Sequence, residues 1–233
     1  MTKRLLELFC GTGSVGHVAK TLGYEVTSID IQTHRGCPSP DIQTDILDWD
    51  YRRSPFPQKH FTVIWASPPC TSYARMQHIN LGRKVKNTGE VFTKELWERR
   101  KTEADKLVQR ALDIMEYFQP GTWILENPQT GDLKNRSIMN DIPFVDVDYC
   151  QYGMPYRKRT RLWTNTNPAV LKPRMCPGKG KCQQMIGRRH KKITVNGSDR
   201  GIFNCGTTTL DRYRIPQQLV KELLMTHQRT EHK

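Results

Sequence analysis

Residues 4–16, RLLELFCGTGSVG, limit the fold more tightly than any other stretch of the chain. A short apolar segment runs into Gly11, Gly13 and Gly16, spaced G-x-G-x-x-G. Helical pattern follows through SVGHVAKTLG and closes at Gly23, and YEVTSID then reads as a strand ending in Asp30. Strand, glycine turn, helix and strand in this order form a unit whose two strands must lie parallel, joined by the helix as a crossover. Glycines let the backbone approach a ligand, and an acid at the end of the second strand accepts ribose hydroxyls. Several nucleoside cofactors share this logic, a nicotinamide dinucleotide among them. A tight strand-to-helix turn also needs glycine for itself. The presence of Asp30 at the right separation favours the ligand.

The alternation continues downstream. DIQTDILDWD holds a third short strand ending near Asp45, FTVIWA is a fourth and TWILEN a fifth. A long polar segment runs from about Pro68 to Glu90. Leu96, Ala104, Leu107, Val108, Ala111, Leu112, Met115 and Phe118 then recur at helical spacing, and Pro120-Gly121 ends the run. FVDVDYCQYG and RTRLWTN read as two more strands in a hairpin. The order predicts an α/β fold, a mostly parallel Rossmann-like sheet with helices on both faces. Residues 166–206, rich in Pro, Gly and basic side chains, break the pattern as an irregular insertion. From Ile215, IPQQLVKELLMTHQR is a closing amphipathic helix, with Pro216 tolerated in its first turn. The expected organisation is a core over 1–165, a small insertion over 166–206 and a C-terminal helix over 207–233 that returns to the core.

The 37 Lys and Arg residues outnumber 23 acidic ones, for a formal net charge of +14, which favours a polyanionic partner. The N-terminus lacks the apolar core and cleavage site of a signal peptide, and no apolar run approaches membrane-spanning length. Seven scattered cysteines do not resemble a secreted disulfide framework. The expected place is intracellular, in cytoplasm or nucleus, with no membrane partner.

Candidate chemistry falls at strand ends. Asp45 can accept from an adenine amino group with Ile46 against the ring, or cap the following turn. After HFTVIWA, the run SPPC places Cys70 just past a strand. Strand-then-S-P-P is a layout of nucleic-acid methyltransferases, and the amino-group enzymes carry an aromatic residue where this chain has Cys70. WILENP puts Glu126 and Asn127 at the end of the fifth strand, where a carboxylate after three apolar residues is expensive to bury unless paired or functional. Arg159 and Arg161 occupy alternate positions and face the same way, which suits phosphate or base contacts. Arg157 and Lys158 read as a solvated basic face.

LELFCGTGSVG, SID, TDIL, SPPC, ENP and YGMPYRKRTRLW stand in the order found in the DNA cytosine-5 methyltransferase family, which the chain resembles over most of residues 4–165 and the closing helix. The resemblance implies S-adenosylmethionine as cofactor, held by Phe9, Gly11, Gly13, Asp30, Ile31, Asp45, Ile46 and Pro68. It makes Cys70 the nucleophile that adds to C6 of a flipped cytosine. It gives Glu126 to the amino group and N3, Arg161 to O2, and Arg159 to a neighbouring phosphate. DNA is the implied partner and a monomer the implied state. Thr71 stands where the family usually has Gln, Pro128 where Val is common, and Tyr156-Arg157 where Gln is usual, with one extra residue before Arg159. The target-recognition region is reduced to about residues 166–206. Four alternatives remain open: the same reaction on RNA, an amino methyltransferase, a nicotinamide-dependent oxidoreductase, and a non-enzymatic nucleic-acid binder.

Within the insertion, Cys176, Cys182 and His190, with Cys205 further on, offer the ligands of a structural zinc site. The C-x5-C spacing exceeds the usual pair, and unligated thiols are the preferred reading. The RRHKK run reads as a phosphate-contacting face.

Overall fold

The computed structural model describes residues 2–194 and 207–230. Seven strands form one sheet: β1 (Arg4–Leu8), β2 (Glu25–Asp30), β3 (Ile42–Gln43), β4 (Val63–Ala66), β5 (Thr122–Pro128), β6 (Phe144–Asp148) and β7 (Arg159–Thr164), in the order β3-β2-β1-β4-β5-β7-β6. Strands β1 to β5 pair in parallel, and β7 runs antiparallel between β5 and β6. The expected α/β sheet, including the β6–β7 antiparallel pair, is the one observed.

Two cores follow from the alternation of strand side chains. Leu6, Leu8, Ile64, Ala66, Leu125 and Trp163 face α2 (Lys94–Phe118) and meet its Val108, Ala111, Ile114, Met115 and Phe118. Leu5, Val63, Trp65, Ile124 and Leu162 point the other way. They meet Val15, Val18 and Ala19 of α1 (Ser14–Thr21) and Leu219, Val220, Leu223 and Leu224 of α4 (Gln217–Thr230). Each large side chain so buried contributes on the order of 2 kcal/mol. Helix α2 is fixed in register by Thr93, whose Oγ1 accepts from the Leu96 amide at 3.1 Å, and it stops at Gln119, which turns left-handed.

A short helix α3 (Thr209–Tyr213) opens on a capping box between Thr208 and Asp211 and precedes α4. Between β7 and α3 lies the small hairpin β8 (Met185–Ile186) and β9 (Arg189–His190). Residues 195–206 of the expected insertion, Cys205 included, lie outside the described residues. Among the described residues no helix is long and apolar enough to cross a membrane.

Candidate active site

Connections leave β1 toward β2 and β3 in one direction and return to β4 on its other side. The connections that leave β1 and β4 therefore diverge, and a cleft opens outside their carboxyl ends. It has a volume of about 1110 Å³. Phe9, Gly11, Asp30, Ile31, Asp45, Ile46, Pro68, Cys70, Glu126 and Arg159 all line it; Gly13 and Arg161 do not.

On the β1–β3 side the glycine turn is tied to its acids by the backbone. The Gly11 amide donates to Asp30 Oδ2 at 2.8 Å, and the Gln32 amide donates to Oδ1 at 3.3 Å. The carboxylate is thus fixed at the strand end beside the cleft. Ile31 leaves its side chain 59% exposed there, an apolar surface with no core to fill. Asp45 caps the following turn at the edge of the cleft, its Oδ1 accepting from the Leu47 amide at 2.9 Å. Gly13, although outside the cleft, adopts φ 66° at the N-cap of α1, a left-handed conformation that favours glycine.

Sequence reasoning passed over Glu7. This carboxylate is buried at the penultimate position of β1 and accepts from the first-turn amides of α1, Val15 at 3.3 Å and Gly16 at 2.8 Å. Burial pushes it up from 4.5 to about 7, and those two amides only partly oppose the rise. The third glycine of the motif is explained by the same contact. A Cβ on Gly16 would stand 2.6 Å from Glu7 Oε2 and 3.2 Å from Val26 Cγ1. The sign that could have pointed to Glu7 is an acid at a strand position flanked by leucines.

On the β4–β5 side, Cys70 sits in a loop held from three directions. The Asn127 side chain donates to Pro68 O at 2.9 Å. Trp97 Nε1 donates to Ser72 O at 2.7 Å, and the Tyr73 hydroxyl donates to Asp105 at 2.8 Å. Asn127 Oδ1 is buried without a partner among the described residues, at the cleft wall. Burial pushes the Cys70 thiol up, Glu126 adds to that, and Lys158 and Arg212 oppose it. Glu126 is buried, and its Oε1 accepts from the Tyr149 hydroxyl at 2.9 Å and from Lys158 Nζ at 3.4 Å.

Strand β7 brings only one of the two expected arginines, Arg159, to the cleft, and both are already paired. Arg159 and Arg161 do face one way, but β6 places Asp148 and Asp146 directly opposite them. Arg161 binds Asp146 through two nitrogens, at 2.8 and 3.0 Å, and lies 3.5 Å above the Phe144 ring. Arg159 binds Asp148 at 3.1 and 2.9 Å while still reaching the cleft wall. The register pairs Asn127 with Arg161, so Arg161 lies on the sheet face opposite to Glu126. The cation on the Glu126 side is Lys158, one residue before β7. It is not a solvated side chain: Nζ reaches Glu126, lies 5.0 Å from the Tyr149 ring centroid, and donates to Arg212 O at 3.1 Å. Segment 207–213, expected only as part of the C-terminal helix, brings Thr209, Arg212 and Tyr213 to the cleft.

The cleft therefore joins an acid-and-backbone half suited to a nucleoside with a half that presents a thiol, a carboxylate and an ammonium. That second set can add sulfur to an electron-poor ring, hold the ring's donors and stabilise charge.

The chain is 36% identical over 228 residues to a "Probable DNA (cytosine-5)-methyltransferase" of Frog virus 3 (isolate Goorha), covering 95% of this chain and 98% of that protein. No protein-family model matches the chain. Among solved structures it is similar to a candidate DNA modification methyltransferase encoded within an E. coli prophage, with a TM-score of 0.49, 15% identity and 76% of this chain covered. It is also similar to the S. pombe Dnmt2 methyltransferase, with a TM-score of 0.42, 12% identity and 70% covered. The chain spans about half the length of those two structures, 53% and 49%.

Proposed function

The chain belongs to the DNA (cytosine-5)-methyltransferase family, and from that premise we propose that its cleft holds S-adenosylmethionine over the ends of β1–β3 and a cytosine, flipped out of DNA, between Cys70 and Glu126. The observation that carries this reading is the presence of Cys70, Glu126 and Asp30 on the walls of one cleft. The donor set fits the cofactor: Asp30 for ribose hydroxyls, Ile31 and Ile46 for a ring face, and glycine backbone at Gly11 for close approach. Bound there, S-adenosylmethionine supplies an electrophilic methyl group.

Cys70 Sγ adds to C6 of the base, and the electron pair of the C5–C6 bond shifts so that C5 becomes nucleophilic. Glu126 accepts from the exocyclic amino group and supports a proton on N3 as charge develops. Tyr149 and Lys158 hold that carboxylate in place. Lys158 and Arg212 favour the thiolate against the burial that keeps Cys70 protonated. C5 takes the methyl group as the methyl–sulfur bond breaks and its electron pair stays on the departing thioether. With C5 methylated, loss of the C5 proton to solvent expels Cys70 as thiolate and restores the ring. The excess of basic residues supplies attraction to phosphate. Arg161, engaged with Asp146, is assigned no contact with the base.

The test is covalent trapping. The protein is incubated with S-adenosylmethionine and DNA or RNA carrying 5-fluorocytosine, whose C5 fluorine blocks elimination. The expected result is a DNA adduct that survives denaturation and is absent with Cys70→Ala. An adduct with RNA alone moves the reaction to RNA. No adduct, with cofactor still bound, overturns the mechanism.

A further inference from the structure

Three cysteines and one histidine from separate parts of the chain converge beside the turn that follows β6. Cys150 lies in the 3₁₀ turn Tyr149–Tyr152 that ends β6. Cys176 and Cys182 bracket the loop CPGKGKC, in which Gly178 and Gly180 turn through φ 85° and 77°. His190 lies on β9. Their three Sγ atoms and one imidazole nitrogen all lie within 4.8 Å of one another. Both Cys176 Sγ and Cys182 Sγ stand 3.6 Å from His190 Nε2. A tetrahedral zinc with ordinary Zn–S and Zn–N lengths sets its sulfur and nitrogen ligands about 3.6 Å apart. We propose that Cys150, Cys176, Cys182 and His190 bind one structural Zn²⁺.

The surrounding contacts are those of a closed metal site. The Gln151 side-chain amide approaches Cys182 Sγ at 3.4 Å and Cys150 Sγ at 3.7 Å, so two sulfurs share one donor. The Cys182 amide donates to Gly178 O at 3.1 Å and folds the loop back on itself. The Cys176 amide donates to Asp148 Oδ2 at 2.9 Å, which ties the loop to the carboxylate that also holds Arg159. All three cysteines are free thiols. A disulfide would join two of them and leave the third sulfur and the imidazole at close range without purpose.

The segment needs such a fastening. Among the described residues from 170 to 194, Cys182 is the only buried side chain. The same stretch carries Lys172, Arg174, Lys179, Lys181, Arg188, Arg189, Lys191 and Lys192 and no acid. A segment without a core and with charges of one sign cannot offset its own ordering entropy. Three thiolates and a neutral imidazole around Zn²⁺ carry a net charge of −1 and release three protons on binding, so the metal supplies both the staple and a counter-charge. The site also reaches the chemistry. Cys150 immediately follows Tyr149, whose hydroxyl holds Glu126. The sequence alone pointed to Cys205 as fourth ligand; Cys150 completes the set without it. It was missed because it stands in a strand-and-turn segment 26 residues before the loop.

The test is metal content, which does not depend on methyl transfer. Protein purified from zinc-supplemented medium is expected to hold about one zinc per chain. Replacement by Co²⁺ should give the intense charge-transfer absorption of cobalt thiolates. Cys150→Ser and Cys182→Ser should each lose the metal, while Cys205→Ser keeps it. His190→Cys should keep it with an altered cobalt spectrum, a rescue that separates ligation from general misfolding. Chelation should open residues 171–192 to trypsin while the β1–β5 core stays protected. Metal-free protein with every thiol titratable after zinc loading, or a disulfide among these cysteines, overturns the proposal. So does loss of metal in Cys205→Ser with retention in Cys150→Ser. A catalytically silent protein that still binds zinc would overturn the proposed function and leave this inference standing.

Discussion

The two sides of the cleft are assembled over different distances along the chain. On the β1–β3 side, Glu7 meets Val15 and Gly16 across 8 and 9 residues, and Gly11 meets Asp30 across 19. On the side of Cys70, Asn127 meets Pro68 across 59 residues, Lys158 meets Glu126 across 32, and Lys158 meets Arg212 across 54. The first side is a single β-α-β unit that organises itself. The second exists only once β5, β7 and α3 have docked. Damage to the first should weaken cofactor binding or the fold, and damage to the second should spare both and remove chemistry.

The largest break should come from Glu126→Gln. It keeps the shape but not the charge, so kcat should fall about 1000-fold with cofactor affinity unchanged. Stopped-flow methylation and cofactor titration on one preparation would check this. A matching loss of cofactor affinity would erase the distinction between the two sides.

Glu7 gives the next effect, and on stability. Its folded value of about 7 lies above its unfolded 4.5, so its contribution is full below pH 4.5 and is lost as pH rises to about 7. That change amounts to about 3 kcal/mol. Urea melts at pH 5 and pH 8 should show it in the native protein, and Glu7→Gln should flatten it.

Lys158→Met should lower kcat about 100-fold and move the rising limb of the kcat/KM pH profile to higher pH, because Cys70 loses a cation that favours its thiolate. An unchanged profile would return Lys158 to the solvent. Asp30→Ala, by contrast, should weaken cofactor binding by roughly 10- to 100-fold and leave single-turnover kcat at saturation nearly intact. The smallest effect is expected from Arg161→Met. Loss of the pair with Asp146 should cost about 1 kcal/mol in a melt without changing methyl transfer per folded molecule. A selective loss of kcat there would restore Arg161 to the site.

The sequence by itself determined the strands, the order of motifs and the glycine-and-acid wall of the cleft. Local spacing carries those: a glycine turn and an acid one strand later state their geometry within a single supersecondary unit. It also placed Cys70 and Glu126 at strand ends, and parallel strands bring such ends to one edge. What only the tertiary structure decided is which neighbour each side chain meets. Arg159 and Arg161 share a face, as alternation requires, but the register of β6 set Asp148 and Asp146 against them. Lys158 precedes the strand, and docking of α3 turned it onto Glu126 and Arg212. Cys150, far from the Cys-Gly-Lys loop in sequence, became the fourth member of its cluster only when β6 carried it there. Pattern along one element fixes direction; partners across elements depend on register and packing, which no local spacing encodes.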